Sequence, residues 1–135
     1  MTHVSIVQAI YEALGRDDIP TIMGHLAEDV EWEYGVNSTD VPWLQPRRGR
    51  SEVPSFFEAL DALDIHALEV KALFEVDELV IVLTALDATV RSTGIRIVED
   101  DEVHVWYFNE ANQVVRFRHR IDTHQQWKAY HGHSA

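Results

Sequence analysis

Glu102-Val103-His104-Val105-Trp106-Tyr107-Phe108, then Asn109-Glu110-Ala111-Asn112, then Gln113-Val114-Val115-Arg116-Phe117-Arg118-His119-Arg120-Ile121 run consecutively, and the way they pair decides the fold. The outer two segments alternate with period two, as half-buried strands do, and the middle one suits a tight hairpin. One face of the first strand carries His104, Trp106 and Phe108, and the other carries Val103, Val105 and Tyr107. The second strand sets Val115, Phe117, His119 and Ile121 against Arg116, Arg118 and Arg120. Pairing Phe108 with Val115 places Trp106 opposite Phe117 and His104 opposite His119. Two histidines then face each other at the end of an aromatic ladder.

Working outward, residues 66–76 and 78–90 read as strands joined near Asp77-Glu78, and the Arg91-Ser92-Thr93-Gly94 turn leads into a strand from Ile95 to Phe108. The acidic run Glu99-Asp100-Asp101-Glu102 interrupts that strand and predicts a bulge. Toward the N-terminus, Ile6, Val7, Ile10, Tyr11 and Leu14 recur at helical spacing until Gly15. Asp17 and Asp18 supply caps for a second helix with Pro20 in its first turn and Ile22, Met23 and Leu26 on its buried side. Glu31 to Tyr34 is a short strand with Trp32 and Tyr34 on one face. Residues 35 to 50 form a long ordered loop carrying Trp43, after which Ser51 caps a third helix with Val53, Phe56, Phe57, Leu60 and Leu63 inward. Helices followed by a meander give an α+β order, in which the sheet curls over the helices to cover their apolar stripes. A single domain over residues 1–135 is expected.

The net charge of −12 disfavours nucleic acid and anionic membranes as partners, since both demand a cationic surface. The absence of cysteine excludes disulfides, thiolate metal sites and cysteine nucleophiles. No signal-like leader and no apolar run of about 20 residues is seen, so a cytoplasmic protein is expected.

Three residues stand out as candidates for chemistry. An imidazole can take or give a proton near neutral pH, so His104 and His119 suit general acid–base work. The bland alternative is that each is a core histidine satisfied by one hydrogen bond. Asp87 sits in the otherwise charge-free run Leu79 to Val90, where a buried carboxylate needs a partner such as His104 or His119. It either pairs in this way or points out to solvent. Trp32, Tyr34, Trp106, Phe117, Phe56 and Leu60 are the candidate lining of a cavity, and core packing explains the aromatic ones equally well. Asp122 opens Asp122-Thr123-His124-Gln125, which matches a helix cap, and is the remaining binding candidate. Two histidines with Asp87 have the composition of a metal triad, but nothing in their spacing demands one, and no metal is expected.

The segments Ile6 to Leu14, Leu26-Ala27-Glu28-Asp29-Val30-Glu31-Trp32, Arg48-Gly49-Arg50-Ser51-Glu52 and Phe108 to Phe117 together resemble the SnoaL-like and ketosteroid isomerase-like proteins of the nuclear transport factor 2-like superfamily. That resemblance implies a cone-shaped fold, with three N-terminal helices packed in a strongly curved, mixed but mostly antiparallel sheet. It also implies a hydrophobic pocket, a homodimer formed by sheet faces, and no cofactor. Carried over by position, the steroid isomerase residues fall on Ile10, Tyr34 and His104, and none is preserved. The limonene epoxide hydrolase residues fall on Ala85, Asp87 and His119, of which Asp87 alone survives. The Asp and His of SnoaL-type cyclases are similar to Asp87 with His119 and His104. The reading favours a cofactor-independent isomerase, dehydratase or cyclase acting on a small apolar molecule. Its competitor is a non-catalytic ligand-binding or dimeric scaffold protein of the same fold.

Overall fold

The computed structural model describes residues 2–33 and 40–133 of the chain; Tyr34, a candidate lining residue, lies outside the described residues. Helix α1 (His3–Gly15) starts where the Thr2 hydroxyl accepts the Ser5 N–H at 3.1 Å. Its Ile6, Val7, Ile10 and Ala13 are buried, and each of the three larger side chains contributes about 1.5–3 kcal/mol by leaving water. The chain reverses through Asp17, whose φ of 57° is the left-handed conformation that ends many helices. Helix α2 (Ile19–Gly24) is capped by Asp18, which accepts the Thr21 N–H at 3.3 Å, with Pro20 in the first turn as expected. Leu26 does not extend this helix; it opens strand β1 (Leu26–Glu33).

Strand β2 (Arg47–Arg48) pairs with β1 just before helix α3 (Val53–Ala59). Ser51 does not cap α3. Glu52 stands at the cap without a side-chain bond, and the helix begins on Val53-Pro54, where proline's fixed φ presets the first turn without help from a hydroxyl. The remaining strands are β3 (Leu63–Val76), β4 (Leu79–Val90), β5 (Arg96–Phe108) and β6 (Val114–Arg120), closed by helix α4 (Thr123–Tyr130).

The sheet order is β2-β1-β6-β5-β4-β3, antiparallel throughout except for the parallel β1–β6 pair. Register shifts at Ile65/Ala67 and Val70/Ala72 in β3, and at Asp100-Asp101 opposite Ala85 in β5, add residues to one strand of a pair. Such bulges strengthen local twist and bend the sheet, and the acidic run is thus a bulge as predicted. Strand β4 alternates strictly, with Val80, Val82, Thr84, Leu86, Ala88 and Val90 buried and the intervening residues half-buried on the outer face. Its inward side chains join Ile6, Val7 and Ile10 of α1, Ile22 of α2 and Phe56 of α3 in one core. This is the cone expected from the sequence: helices lie in the hollow of a mostly antiparallel six-stranded sheet. No helix among the described residues is long and apolar enough to cross a membrane.

Candidate functional site

Strands β5 and β6 carry the centre of the site. Trp106 lies opposite Phe117 and His104 opposite His119, as their alternation predicts. The hairpin itself closes differently, with Phe108 facing Val114, so that Val115 is the extra residue that restores the register. Both histidines point into the hollow and are buried, and their rings lie 4.2 Å apart.

Between them sits Glu102, 1 % exposed. Its Oε1 lies 3.4 Å from His104 Nε2 and 3.2 Å from His119 Nε2. Its Oε2 accepts from Gln126 Nε2 at 3.5 Å, and Gln126 is in turn fixed by the Trp43 indole N–H at 2.7 Å. On the far side of His104, the Tyr11 hydroxyl contacts Nδ1 and also accepts the Trp106 indole N–H at 3.2 Å.

The polarity of this chain is set at its carboxylate end. An indole N–H can only donate, so the Tyr11 oxygen accepts from Trp106; Glu102 as a carboxylate can only accept, which calls for a proton on His104 Nε2 and leaves Nδ1 of the neutral ring to accept from Tyr11. A neutral imidazole that accepts at Nδ1 carries its proton on Nε2, and that proton points to Glu102. The tautomer is thus assigned from the network. Burial pushes the Tyr11 phenol well above its ordinary value, which keeps it a neutral donor. Burial also works to raise the Glu102 carboxyl, but hydrogen bonds from His104 and His119 outweigh it and hold the group below its ordinary value as a carboxylate. Glu99, brought to the same side by the bulge, is pushed up to about 8 by burial and by the neighbouring Glu102 carboxylate. Its Oε1 accepts the Asp122 N–H at 2.7 Å.

Glu102, His104 and His119 offer ligand atoms within 4.8 Å of one another and are the side chains here that could hold a metal ion. A metal on His104 requires a lone pair at Nε2, whereas hydrogen bonding to the Glu102 carboxylate requires a proton there. The cluster is therefore read as a hydrogen-bonded acid–base centre.

A cavity of about 60 Å³ adjoins this centre, walled by Trp32, Phe56, Leu60, Trp106 and Phe117, with Glu102, His104, His119 and Gln126 at its polar end. It shares Tyr11, Leu14, Phe57, Leu60, Leu63, Ile65 and Leu68 with an adjoining hollow of about 570 Å³. A larger open hollow of about 960 Å³ lies elsewhere, beside Asp77, Tyr107 and Arg116. Its lining holds none of the buried polar groups.

The structure brings His104, His119, Trp32, Trp106, Phe117, Phe56 and Leu60 together. It sets Asp87 apart. Asp87 is on the outward parity of β4, and both its carboxylate oxygens are held by Arg96, at 2.8 and 2.6 Å. Asp122 is also apart: it is exposed and caps α4 by accepting the Gln125 N–H at 3.0 Å. The carboxylate sought in Asp87 is supplied by Glu102, which shares the parity of His104 and belongs to the acidic run that the sequence marks as a bulge. Tyr11, the residue after Ile10, brings the helix-one hydroxyl into the site. Nothing local in the sequence marks Gln126 and Trp43, which meet across 83 positions.

Comparison with known proteins agrees with this architecture. No curated protein matches the sequence. An NTF2-like protein of unknown function from Burkholderia pseudomallei superimposes with a TM-score of 0.83 at 25% identity, covering 96% of this chain and 98% of its own. TerC, crystallised with polyporic acid, gives 0.81 at 19% identity over 96% and 98% of the two chains. A Mycobacterium tuberculosis protein in complex with estradiol-17beta-hemisuccinate gives 0.70 at 15% identity over 89% and 93%. The profile of the SnoaL-like domain matches residues 7–117, a span that contains most of α1, all of α2 and α3, the aromatic wall and the Glu102–His104 pair, and the chain belongs to the SnoaL-like family of the nuclear transport factor 2-like fold.

Proposed function

We propose that this protein binds a small, apolar, cyclic molecule in the cavity between its helices and the concave sheet. We further propose that His119, held by Glu102, exchanges a proton with that molecule. The observation that carries the reading is the pair of imidazoles on one buried carboxylate at the polar end of an aromatic-walled cavity. A carboxylate that accepts His119 Nε2–H makes Nδ1 the basic nitrogen of that ring. It also stabilises the imidazolium formed when a proton is taken up. Proton transfer beside a carbonyl, as in isomerisation, dehydration or aldol cyclisation, needs this one group and no cofactor. Two proteins of the same fold, TerC with polyporic acid and the Mycobacterium tuberculosis protein with estradiol-17beta-hemisuccinate, hold cyclic molecules; both are acids, so they support the ring and not the charge of the ligand.

The reading is tested by screening cyclic ketones and enols for turnover, then replacing both His104 and His119 by alanine. Loss of acid–base catalysis lowers the rate by about 10²–10⁴, with the fold retained by circular dichroism. Unchanged turnover in the double variant refutes the assignment; Glu102→Gln, which keeps the shape of the site, repeats the test should the double variant not fold. The modest 60 Å³ of enclosed space favours a second reading, a ligand-binding or scaffold protein in which the cluster only satisfies buried polar groups. That reading predicts saturable binding without turnover of any compound in the screen.

A further inference from the structure

Every fixed charge along the route into the cavity is negative or titratable. The outer hollow is lined by Glu12, Asp17 and Asp61 with His66, and the inner end by Glu102 with His104 and His119. Among the described residues, no lysine or arginine lines either space. The nearby guanidiniums are engaged elsewhere: Arg16 with Asp18 at 3.5 Å, Arg91 with the Asp61 backbone oxygen at 2.9 Å, and Arg47, which lies 5.6 Å from the Phe56 ring centre, with Ser55 Oγ at 2.7 Å and the Gln45 backbone oxygen at 2.8 Å. Residues 34–39, Tyr-Gly-Val-Asn-Ser-Thr, contain no charged side chain.

The permanent charge at the inner end is the Glu102 carboxylate, which both imidazoles meet at Oε1. A carboxylate entering this space loses its water and gains no cation in return, and burial of an unpaired charge is costly. The wall does offer one unused donor: Trp32 is 2 % exposed, lines the cavity, and its Nε1 has no acceptor among the described residues. A buried N–H of this kind costs free energy until something accepts from it.

We propose that the cavity selects uncharged ring compounds bearing an oxygen that accepts from Trp32 Nε1, and excludes their carboxylate analogues. This rests on the cavity being a ligand site, as argued above, and adds the charge and the oxygen that the ligand must have.

The test is a set of tryptophan-fluorescence titrations of the full chain at neutral pH with 2-naphthol, 2-naphthoate and naphthalene. The expected order places 2-naphthol at least roughly tenfold tighter than 2-naphthoate, because only the second must shed the water of a charge. Glu102→Gln narrows that gap. Trp32→Phe keeps the aromatic wall and weakens 2-naphthol by roughly two- to tenfold, the worth of one hydrogen bond, while sparing naphthalene. The inference is overturned if 2-naphthoate binds as tightly as 2-naphthol, or if Trp32→Phe weakens naphthol and naphthalene alike. If neither naphthol nor naphthalene binds the wild-type protein, the ligand-site reading itself falls, and this one with it.

Discussion

At the scale of single residues, the site turns on which carboxylate meets the histidines. Glu102 is the acceptor at which donors from β5, β6 and α4 converge. Glu102→Leu strands those donors in a buried place, and a loss of about 3–5 kcal/mol in urea unfolding is expected, as for other buried pairs robbed of one partner. Asp87, paired with Arg96 on the outer face, has no such dependants. Histidine ring NMR separates the two: Glu102→Gln moves the His104 and His119 signals, and Asp87→Asn leaves both in place. A response of either ring to Asp87→Asn overturns the assignment. The histidines were legible in the sequence because both of their strands alternate cleanly, so parity alone aims them. Asp87 was not, because Leu79-Val80-Ile81-Val82-Leu83 is apolar at every position and gives parity no mark. Its facing becomes fixed only through pairing with β5.

At the scale of elements, the bulge in β5 explains why two carboxyls share one neighbourhood. An unbroken strand would alternate Glu99 and Glu102 to opposite faces; the extra residue opposite Ala85 returns both to the inner side. The pair has a pH signature. Glu99 is raised from 4.5 to about 8, so the folded state holds its proton more tightly than the unfolded chain does. Its contribution to stability is full below pH 4.5 and is lost as pH rises through 8. Glu102 is lowered, so its contribution is present above 4.5 and is lost as pH falls below that value. The midpoint of urea unfolding should therefore fall on both sides of mildly acidic pH. Glu99→Gln, which has no proton to lose, should flatten the alkaline limb and leave the acid limb. An unchanged alkaline limb in that variant denies Glu99 the raised value. The bulge was visible beforehand as a run of four acids inside a strand; that the run would also deliver an inward carboxylate was not, because composition marks an irregularity but not the face on which the strand resumes. Ser51 shows a similar limit, since a good capping residue one position early yields to a proline that fixes the first turn.

At the scale of the whole molecule, the outer face of the sheet carries the remaining expectation, a homodimer. Leu79, Ile81 and Leu83 of β4 alternate outward beside Val103, Val105 and Tyr107 of β5, while Phe74 and Val76 on β3 are 50% and 48% exposed. A contiguous apolar surface of this kind is rare on a monomer. Its flank is polar and ion-paired: Glu31 accepts from Arg116 at 2.6 Å and Glu33 lies 3.2 Å from Arg118. An apolar centre with a polar edge is the anatomy of a protein interface. We expect two copies to associate through this face, with sedimentation analysis giving a dimer at micromolar concentration. Ile81→Asp places a charge in the middle of the patch and should yield a monomer. Because Ile81 points away from the cavity, the fold and any ligand affinity should survive. Salt supplies an independent check, since each copy carries a net charge of −12. Mutual repulsion is screened as ionic strength rises, so a dimer held by apolar contact tightens with added salt, whereas one held by ion pairs loosens. A wild-type protein that stays monomeric at high concentration and high salt would show instead that β3 and β4 tolerate their exposed side chains, and the outer face would then need another occupant.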